Sequence, residues 1–338
     1  MKGARALLVP PAALLGGCRG IQAALDPAGE QSRVIGSVWD LMLIVCGFMF
    51  ALVLLFIGWM LWRAWRGRGL AQASEAAMSP HERGLDLTLR GWSGLIVIGL
   101  FVLATGSFLA DRKLAALGAQ PALHVRITAQ QWWWEVEYQD ADASQTLTTA
   151  NELHLPVDRP TEIELKSADV IHSFWVPNLN GKTDLIPGRT NHIVLTPRRV
   201  GQLRGQCAEF CGLQHAHMAL DVTVDDAAGF ERWRQRQLQG ARAPMTPAQK
   251  AGADFFVHSA CAMCHTIAGT GAGGKAGPDL THLASRRSIA AGTLPMNRGS
   301  LAAWIADPQS QKPGTNMPTV DLTPDQLNVL VDYLMALE

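Results

Sequence analysis

The 338 residues carry 29 basic and 29 acidic side chains, a formal net charge of zero, and 48% of them are hydrophobic against 17% charged. At roughly 100–200 residues per domain the length allows two or three domains. The lack of a basic surplus argues against a nucleic-acid binder, and the apolar content against a disordered chain. The six cysteines are too few for a disulfide-stapled scaffold, and they fall at Cys18, Cys46 and two close pairs, Cys207/Cys211 and Cys261/Cys264.

In chain order, residues 1–18 read as a signal peptide. Lys2 and Arg5 precede a short apolar run, and Leu15-Gly16-Gly17-Cys18 resembles the bacterial lipoprotein cleavage box, with ordinary cleavage near Ala23 or Ala24, or no cleavage, as the alternatives. A transmembrane hairpin is expected over residues 36–111. Residues 41–62 and 91–110 are two uncharged runs of 22 and 20 residues, each long enough to cross a hydrocarbon core. Trp39, Trp59, Trp62 and Trp92 sit at the ends of these runs, where membrane interfaces favour them. Between them stand Arg63, Arg66, Arg68, Arg83 and Arg90, which assign the connecting loop to the cytoplasm and all that follows Asp111 to the periplasmic or outer face of a cell membrane. Cys46 reads as a small apolar residue within the first span.

Residues 122–226 read as strands. Leu123, Val125 and Ile127 alternate with His124, Arg126 and Thr128, and Trp132, Trp134, Val136 and Tyr138 continue the period of two. Short strands between Pro, Asp and Asn turns predict an antiparallel sandwich. Residues 227–244 are expected to be a helix end and linker. From 245 to 338 the pattern is helical: Thr246-Pro247 and Thr323-Pro324 each offer an N-cap followed by proline, and Ser300 is the expected cap for residues 301–306.

The run Cys207-Ala-Glu-Phe-Cys211-Gly-Leu-Gln-His215-Ala-His-Met218 places two thiols, imidazole and a thioether within twelve residues. Thiolate and thioether are soft ligands that favour copper, zinc or iron–sulfur chemistry. A single blue copper would need one cysteine; the second, four residues on, is enough for two thiolates to bridge two copper ions. A second imidazole must come from elsewhere, and His172 in Asp169-Val-Ile-His172-Ser-Phe-Trp-Val-Pro177 is the best candidate. By itself the cysteine pair would also suit a disulfide or a redox dithiol. His217 reads as a neighbour, and His124, His154 and His192 as ordinary strand residues.

These motifs, with Gln131-Trp-Trp-Trp134 and Lys182-Thr-Asp-Leu-Ile-Pro-Gly-Arg189, resemble subunit II of the haem–copper cytochrome c oxidases over residues 36–226. The resemblance implies a cupredoxin-like Greek-key sandwich holding a binuclear copper (CuA) centre. Cys207 and Cys211 would bridge, His172 and His215 would each bind one copper, and Met218 and the Glu209 carbonyl would complete the set. The Glu209 side chain would touch a magnesium ion shared with subunit I, and Trp132 would be the exposed tryptophan through which electrons enter. One departure stands out. Where the family often has an acidic residue serving proton uptake before the second span, this chain has Leu89-Arg90-Gly91-Trp92-Ser93.

Cys261-Ala-Met-Cys264-His265 is the covalent c-type haem attachment sequence; a thioredoxin-like dithiol would need a βαβ context that is absent from the pattern. Met317, in a Pro-bounded loop, is the expected sixth ligand of this class I cytochrome c domain, with Met296 as its rival and Met263 badly placed. Gly269-Thr-Gly-Ala-Gly-Gly274-Lys275 nearly matches a phosphate loop but lacks the preceding strand. Residues 122–240 carry 11 basic and 15 acidic side chains, a mild bias toward a basic donor. The combination reads as subunit II of a caa-type oxidase. It would take electrons from a cytochrome c or cytochrome bc complex at the haem and pass them through copper to subunit I, which reduces oxygen with proton translocation, with subunit III also in the assembly. The rivals are a copper-containing nitric oxide reductase subunit, a nitrous oxide reductase, and a membrane-anchored copper-delivery or thiol redox protein that would leave the haem sequence unexplained.

Overall fold

The computed structural model describes residues 19–66, 82–117 and 123–338; the expected signal peptide with Cys18, and Arg68 of the loop between the spans, lie outside them. Two compact units result: residues 33–116, and the remainder.

The first unit is a helical hairpin. Helix α1 (Glu30–Arg66) and helix α2 (Glu82–Leu117) contain windows of mean hydropathy 2.9 and 2.1 whose side chains are unburied. Apolar surface exposed all round a five-turn stretch is what lipid solvates and water does not. Gly99 and Gly106, one heptad apart on α2, face Val45 and Leu41 of α1, and a Cβ on Gly106 would collide with Leu41. Small residues thus let the two backbones approach. Arg63 and Arg66 lie over the Trp59 and Trp62 rings, marking one end of α1 as a polar boundary.

The second unit begins with a β-sandwich. Its strands are β1 (Leu123–Gln130), β2 (Trp133–Gln139), β3 (Leu147–Ala150), β4 (Glu152–Pro156), β5 (Thr161–Ser167), β6 (His172–Trp175), β7 (Thr183–Leu185), β8 (Asn191–Leu195), β9 (Gly201–Cys207) and β10 (Ala219–Asp225). One sheet runs β3-β2-β1-β5-β8 and the other β4-β10-β9-β6-β7. The period-two residues point inward as expected: Val125, Ile127, Trp134, Val136, Ile163, Leu165, Val222 and Val224 are all buried. The sheets are not wholly antiparallel, because β1 pairs with β5 and β4 with β10 in parallel. Parallel neighbours need a crossover, which the intervening strands of each pair provide. The expected linker opens with helix α3 (Ala227–Gln237), whose Phe230 and Trp233 belong to the sandwich core; Trp233 packs on Tyr138 and stacks on His154.

The C-terminal helices enclose a second core. Helix α4 (Pro247–His258) and helix α8 (Pro324–Leu334) begin with capping boxes at Thr246 and Thr323, as their Thr-Pro starts predict. They cross where Gly252 meets the Val329 carbonyl, a contact that excludes any Cβ. Between them lie α5 (Cys261–Cys264), α6 (Arg298–Ala306) and α7 (Pro308–Gln311). Ser300 is not the cap of α6: the Asn297 side chain accepts from the Ser300 N–H, so the helix starts a turn earlier. This part is also not purely helical, since a short ribbon pairs β11 (Ser288–Ile289) with β12 (Leu294–Pro295).

Candidate metal centre and haem crevice

Strand β9 ends at Cys207, and the chain turns back through residues 208–218 before β10 begins. Strand β6 pairs with β9 so that Phe174 lies opposite Cys207, which brings His172 alongside the turn. Cys207 Sγ lies 3.7 Å from Cys211 Sγ. The His172 Nδ1 is 3.9 Å from Cys207 Sγ, the His215 Nδ1 3.6 Å from Cys211 Sγ, and the Met218 Sδ 3.9 Å from Cys211 Sγ. The Glu209 carbonyl is 3.3 Å from Cys207 Sγ. His172, Cys207, Cys211 and Met218 are buried, and the donor atoms of His172 and the two cysteines lie within 4.8 Å of one another. The sequence separations of these donors collapse into one cluster, and its softness suits copper.

The electrostatics favour a thiolate. The hydrogen bond with Cys211, followed by those to His172 and the backbone, outweighs burial and pulls the Cys207 thiol down to about 3. The same pairing pushes Cys211 upward, since two adjacent thiolates repel without a cation between them. Burial works against a charged His172, but the Cys207 and Asp169 hydrogen bonds raise it above its ordinary value. Asp169 takes up the other face of that ring: its Oδ1 is 2.8 Å from Nε2, leaving Nδ1 toward the sulfur. Asp169 also accepts from the Gln131 N–H at 2.6 Å. A carboxylate behind a metal-facing imidazole fixes its tautomer.

Gln131 Nε2 and the Trp132 indole N–H both donate to the Cys211 carbonyl, at 2.7 and 2.9 Å. Gly212, at φ +110°, lies beneath them, and a side chain there would press on both. Trp132 is 7% exposed, not exposed as the resemblance implies, because the C-terminal part of the chain covers it. His217 turns to Gln214 instead of the cluster. The Glu209 carboxylate points outward and pairs with Lys182 at 3.3 Å.

A cavity of about 380 Å³ opens next to this cluster. Cys261, Cys264, His265 and Met317 line it; Met296 and Met263 do not, and Met263 is 73% exposed. The His265 Nδ1 meets the Pro278 carbonyl at 2.7 Å, and Gly277 lies flat against the ring, where any Cβ would clash. Burial holds His265 below its ordinary value, so the ring stays neutral, its Nδ1–H is engaged, and Nε2 keeps its lone pair. Two thiols, an imidazole lone pair and a thioether around an apolar crevice fit a covalent haem. Trp132 and Lys312 line the same cavity.

Lys312 was not visible as a site residue in the sequence. It is 2% exposed, and its Nζ donates to the carbonyls of Trp132, His217 and Ala290 at 2.7, 2.8 and 3.1 Å. Burial pulls it down to about 7; the three carbonyls match the three N–H groups of an ammonium.

Residues 141–225 match the family described as cytochrome c oxidase subunit II, periplasmic domain, and residues 249–338 match cytochrome c. Cytochrome c oxidase subunit 2 of Alkalihalophilus pseudofirmus is 32% identical over 333 residues, covering 96% of this chain and 94% of that one. The protein of the same name from Bacillus sp. (strain PS3) is 32% identical over 267 residues, 73% of each chain. Among solved structures, the periplasmic domain of subunit II of cytochrome oxidase from Bradyrhizobium japonicum is 27% identical, with a TM-score of 0.33, over 36% of this chain and 96% of that one.

Proposed function

The chain belongs to the cytochrome c oxidase subunit II family, in the form with a C-terminal cytochrome c domain, and from that premise we propose that it receives electrons at a covalent haem and delivers them by way of a binuclear CuA centre to subunit I. The observation that carries this reading is the geometry at 207–218: two thiols 3.7 Å apart, each faced by one imidazole. When bound, the haem and the copper pair supply two one-electron couples.

The chain's own residues do the holding. Cys207 and Cys211 would be the thiolate ligands shared by the copper ions, His172 and His215 would each supply an imidazole, and Met218 and the Glu209 carbonyl would be the remaining donors. Asp169 keeps the His172 ring turned toward the sulfur, and burial of both thiols excludes water and so limits the rearrangement that a change of charge demands. Cys261 and Cys264 would attach the haem covalently, and His265 and Met317 would be the ligands to its iron. Trp132 lies between the two sites, donating to the Cys211 carbonyl while lining the crevice. The Glu209 carboxylate, paired with Lys182, would be the side chain that a magnesium ion shared with subunit I uses. The hairpin anchors the chain in the cell membrane with both redox domains on the outer face. There an external cytochrome c or bc complex is the donor, and subunits I and III are the neighbours.

The test is a metal and haem count on the purified full chain, with EPR of the oxidised form. Two coppers per covalent haem, sharing one unpaired electron, are expected. One exchangeable copper, or none and a Cys207–Cys211 disulfide after metallation, would remove the binuclear reading and favour copper delivery instead.

A further inference from the structure

The loop that carries Met317 is also the loop that grips the sandwich. From residues 312 to 317 it makes contacts at almost every position. Lys312 reaches the Trp132 and His217 carbonyls, the Pro313 carbonyl accepts from Gln214 Nε2 at 2.7 Å, and Asn316 donates to the Gln131 carbonyl at 3.3 Å. Gly314, at φ +84°, lies so close to Trp132 and Leu213 that a Cβ would sit 3.2 Å from the Leu213 side chain and 3.5 Å from the indole. The partners fall in two short segments, 131–132 and 213–217, which flank Cys211 and His215. A buried ammonium is costly unless each N–H finds an acceptor, and Lys312 finds three, two of them on the sandwich. A lysine merely covering a surface would keep its charge in water. Away from this loop, Arg286 reaches Glu152 across the same boundary at 3.7 Å, and the Ala219 N–H donates to the Ala291 carbonyl at 3.0 Å.

We propose that Lys312 is a positioning residue that locks the cytochrome c domain onto the copper domain, joining the carbonyls of Trp132, His217 and Ala290 so that the haem crevice stays beside Trp132 through turnover. The residues after Leu238 then serve as a passive connection and not as a tether on which the haem domain travels between donor and copper site. The role in electron delivery rests on the reading of Trp132 as the group between crevice and copper; the lock itself does not.

The experiment uses the full chain in its oxidase complex, with a site-specific protease sequence placed over residues 242–244. Cleavage there leaves the haem fragment attached only by the interface, and its covalent haem reports where it goes. The parent chain is expected to retain the fragment after cleavage. Lys312→Met, with three carbonyls unpaired, is expected to release it while the haem and the copper stay bound, as their spectra report. Lys312→Gln, which keeps two donors, is expected to release it partly. In the uncut complexes, haem-to-copper transfer after rapid haem reduction is expected to be independent of solvent viscosity in the parent. In Lys312→Met it should become viscosity-dependent and about tenfold slower, because the crevice must find its place before each transfer. Release from the parent chain, or full retention by both variants, overturns the lock, and loss of the copper spectrum in both reduces Lys312 to a structural residue. A locked fragment with no transfer in the parent would leave the lock standing and overturn the electron path.

Discussion

The copper cluster and the haem crevice are built on opposite principles. At the cluster, eleven residues of turn between β9 and β10 fold back on β6, and each side-chain donor is already 3.6–3.9 Å from the sulfur of Cys207 or Cys211. Hydrogen bonds from Gln131 and Trp132 to the Cys211 carbonyl, and from Gln131 and His172 to the Asp169 carboxylate, hold the frame. The crevice is instead a void of about 380 Å³ whose four chemical residues come from sequence positions as far apart as Cys261 and Met317. The first site is a finished frame that copper would enter; the second is a void beside the C-terminal core that a haem would fill. The lesson is that loss of the two prosthetic groups should have unequal structural consequences, although both supply redox chemistry.

The largest expected effect follows directly. Cys261→Ala with Cys264→Ala removes covalent haem and leaves the cavity to water. At roughly 24 cal/mol per Å³, an empty 380 Å³ is about 9 kcal/mol, an upper figure because the crevice opens to solvent. A domain's whole stability is about 5–15 kcal/mol. Residues 245–338 of the variant are therefore expected to lose helical circular dichroism and to become protease-sensitive, while the copper EPR signal of the sandwich persists. A protease-resistant, helical C-terminal domain without haem would erase the contrast.

A middle effect sharpens the comparison from the copper side. His172 is oriented by a side chain, Asp169, whereas His265 is oriented by the Pro278 carbonyl, which side-chain substitution leaves in place. Asp169→Asn is expected to weaken copper binding by about 10–100-fold, the usual result of losing a carboxylate behind a metal-facing imidazole. Competition with a chelator measures it. Unchanged affinity would mean that the turn alone orders the site and that Asp169 serves only the Gln131 N–H.

How much of this was legible beforehand divides along the same line. The candidate copper donors and the attachment sequence stand out because soft ligands and imidazoles are concentrated at short spacing, and the structure brings Cys207, Cys211, His172, His215 and Met218 together. The strand period marked the core because each sheet buries one face. Asp169 and Lys312 stayed hidden for a different reason. A carboxylate or an ammonium in a loop ordinarily points to water, and only the tertiary pairing of residues 131–132, 213–217 and 312–317 turns Lys312 inward. The burial of Trp132 has the same origin: the resemblance is to a sandwich, and the cover is supplied by a domain beyond it. Asn297 capped α6 ahead of Ser300 because both can accept an N–H at that turn, and sequence alone does not rank them. The parallel pairs are not legible in the sequence because alternation fixes which face of a strand is buried and says nothing of its neighbour's direction.

The smallest expected effect tests whether the sandwich owes its frame to many weak bonds. Its N-terminal strap, residues 19–32, is held by Asn178, whose side chain donates to the carbonyls of Gly20 and Asp26 and accepts from the Ala23 N–H, and by the Asp26–Arg199 ion pair at 3.0 Å. The Arg199 hydrogen bond holds the Asp26 carboxyl below its ordinary 3.8. The pair's contribution is thus present above that value and is lost as pH falls through the lower folded value. Arg199 is half exposed, so after solvent screening Asp26→Asn is expected to cost under about 1 kcal/mol near neutral pH. The difference from the parent should vanish in acid, as followed by thermal melts of the copper domain's near-ultraviolet signal. A cost of several kcal/mol would show that this half of the molecule also hangs on single interactions, as the haem half hangs on its cofactor, and the contrast between a finished frame and an unfilled core would have to be given up.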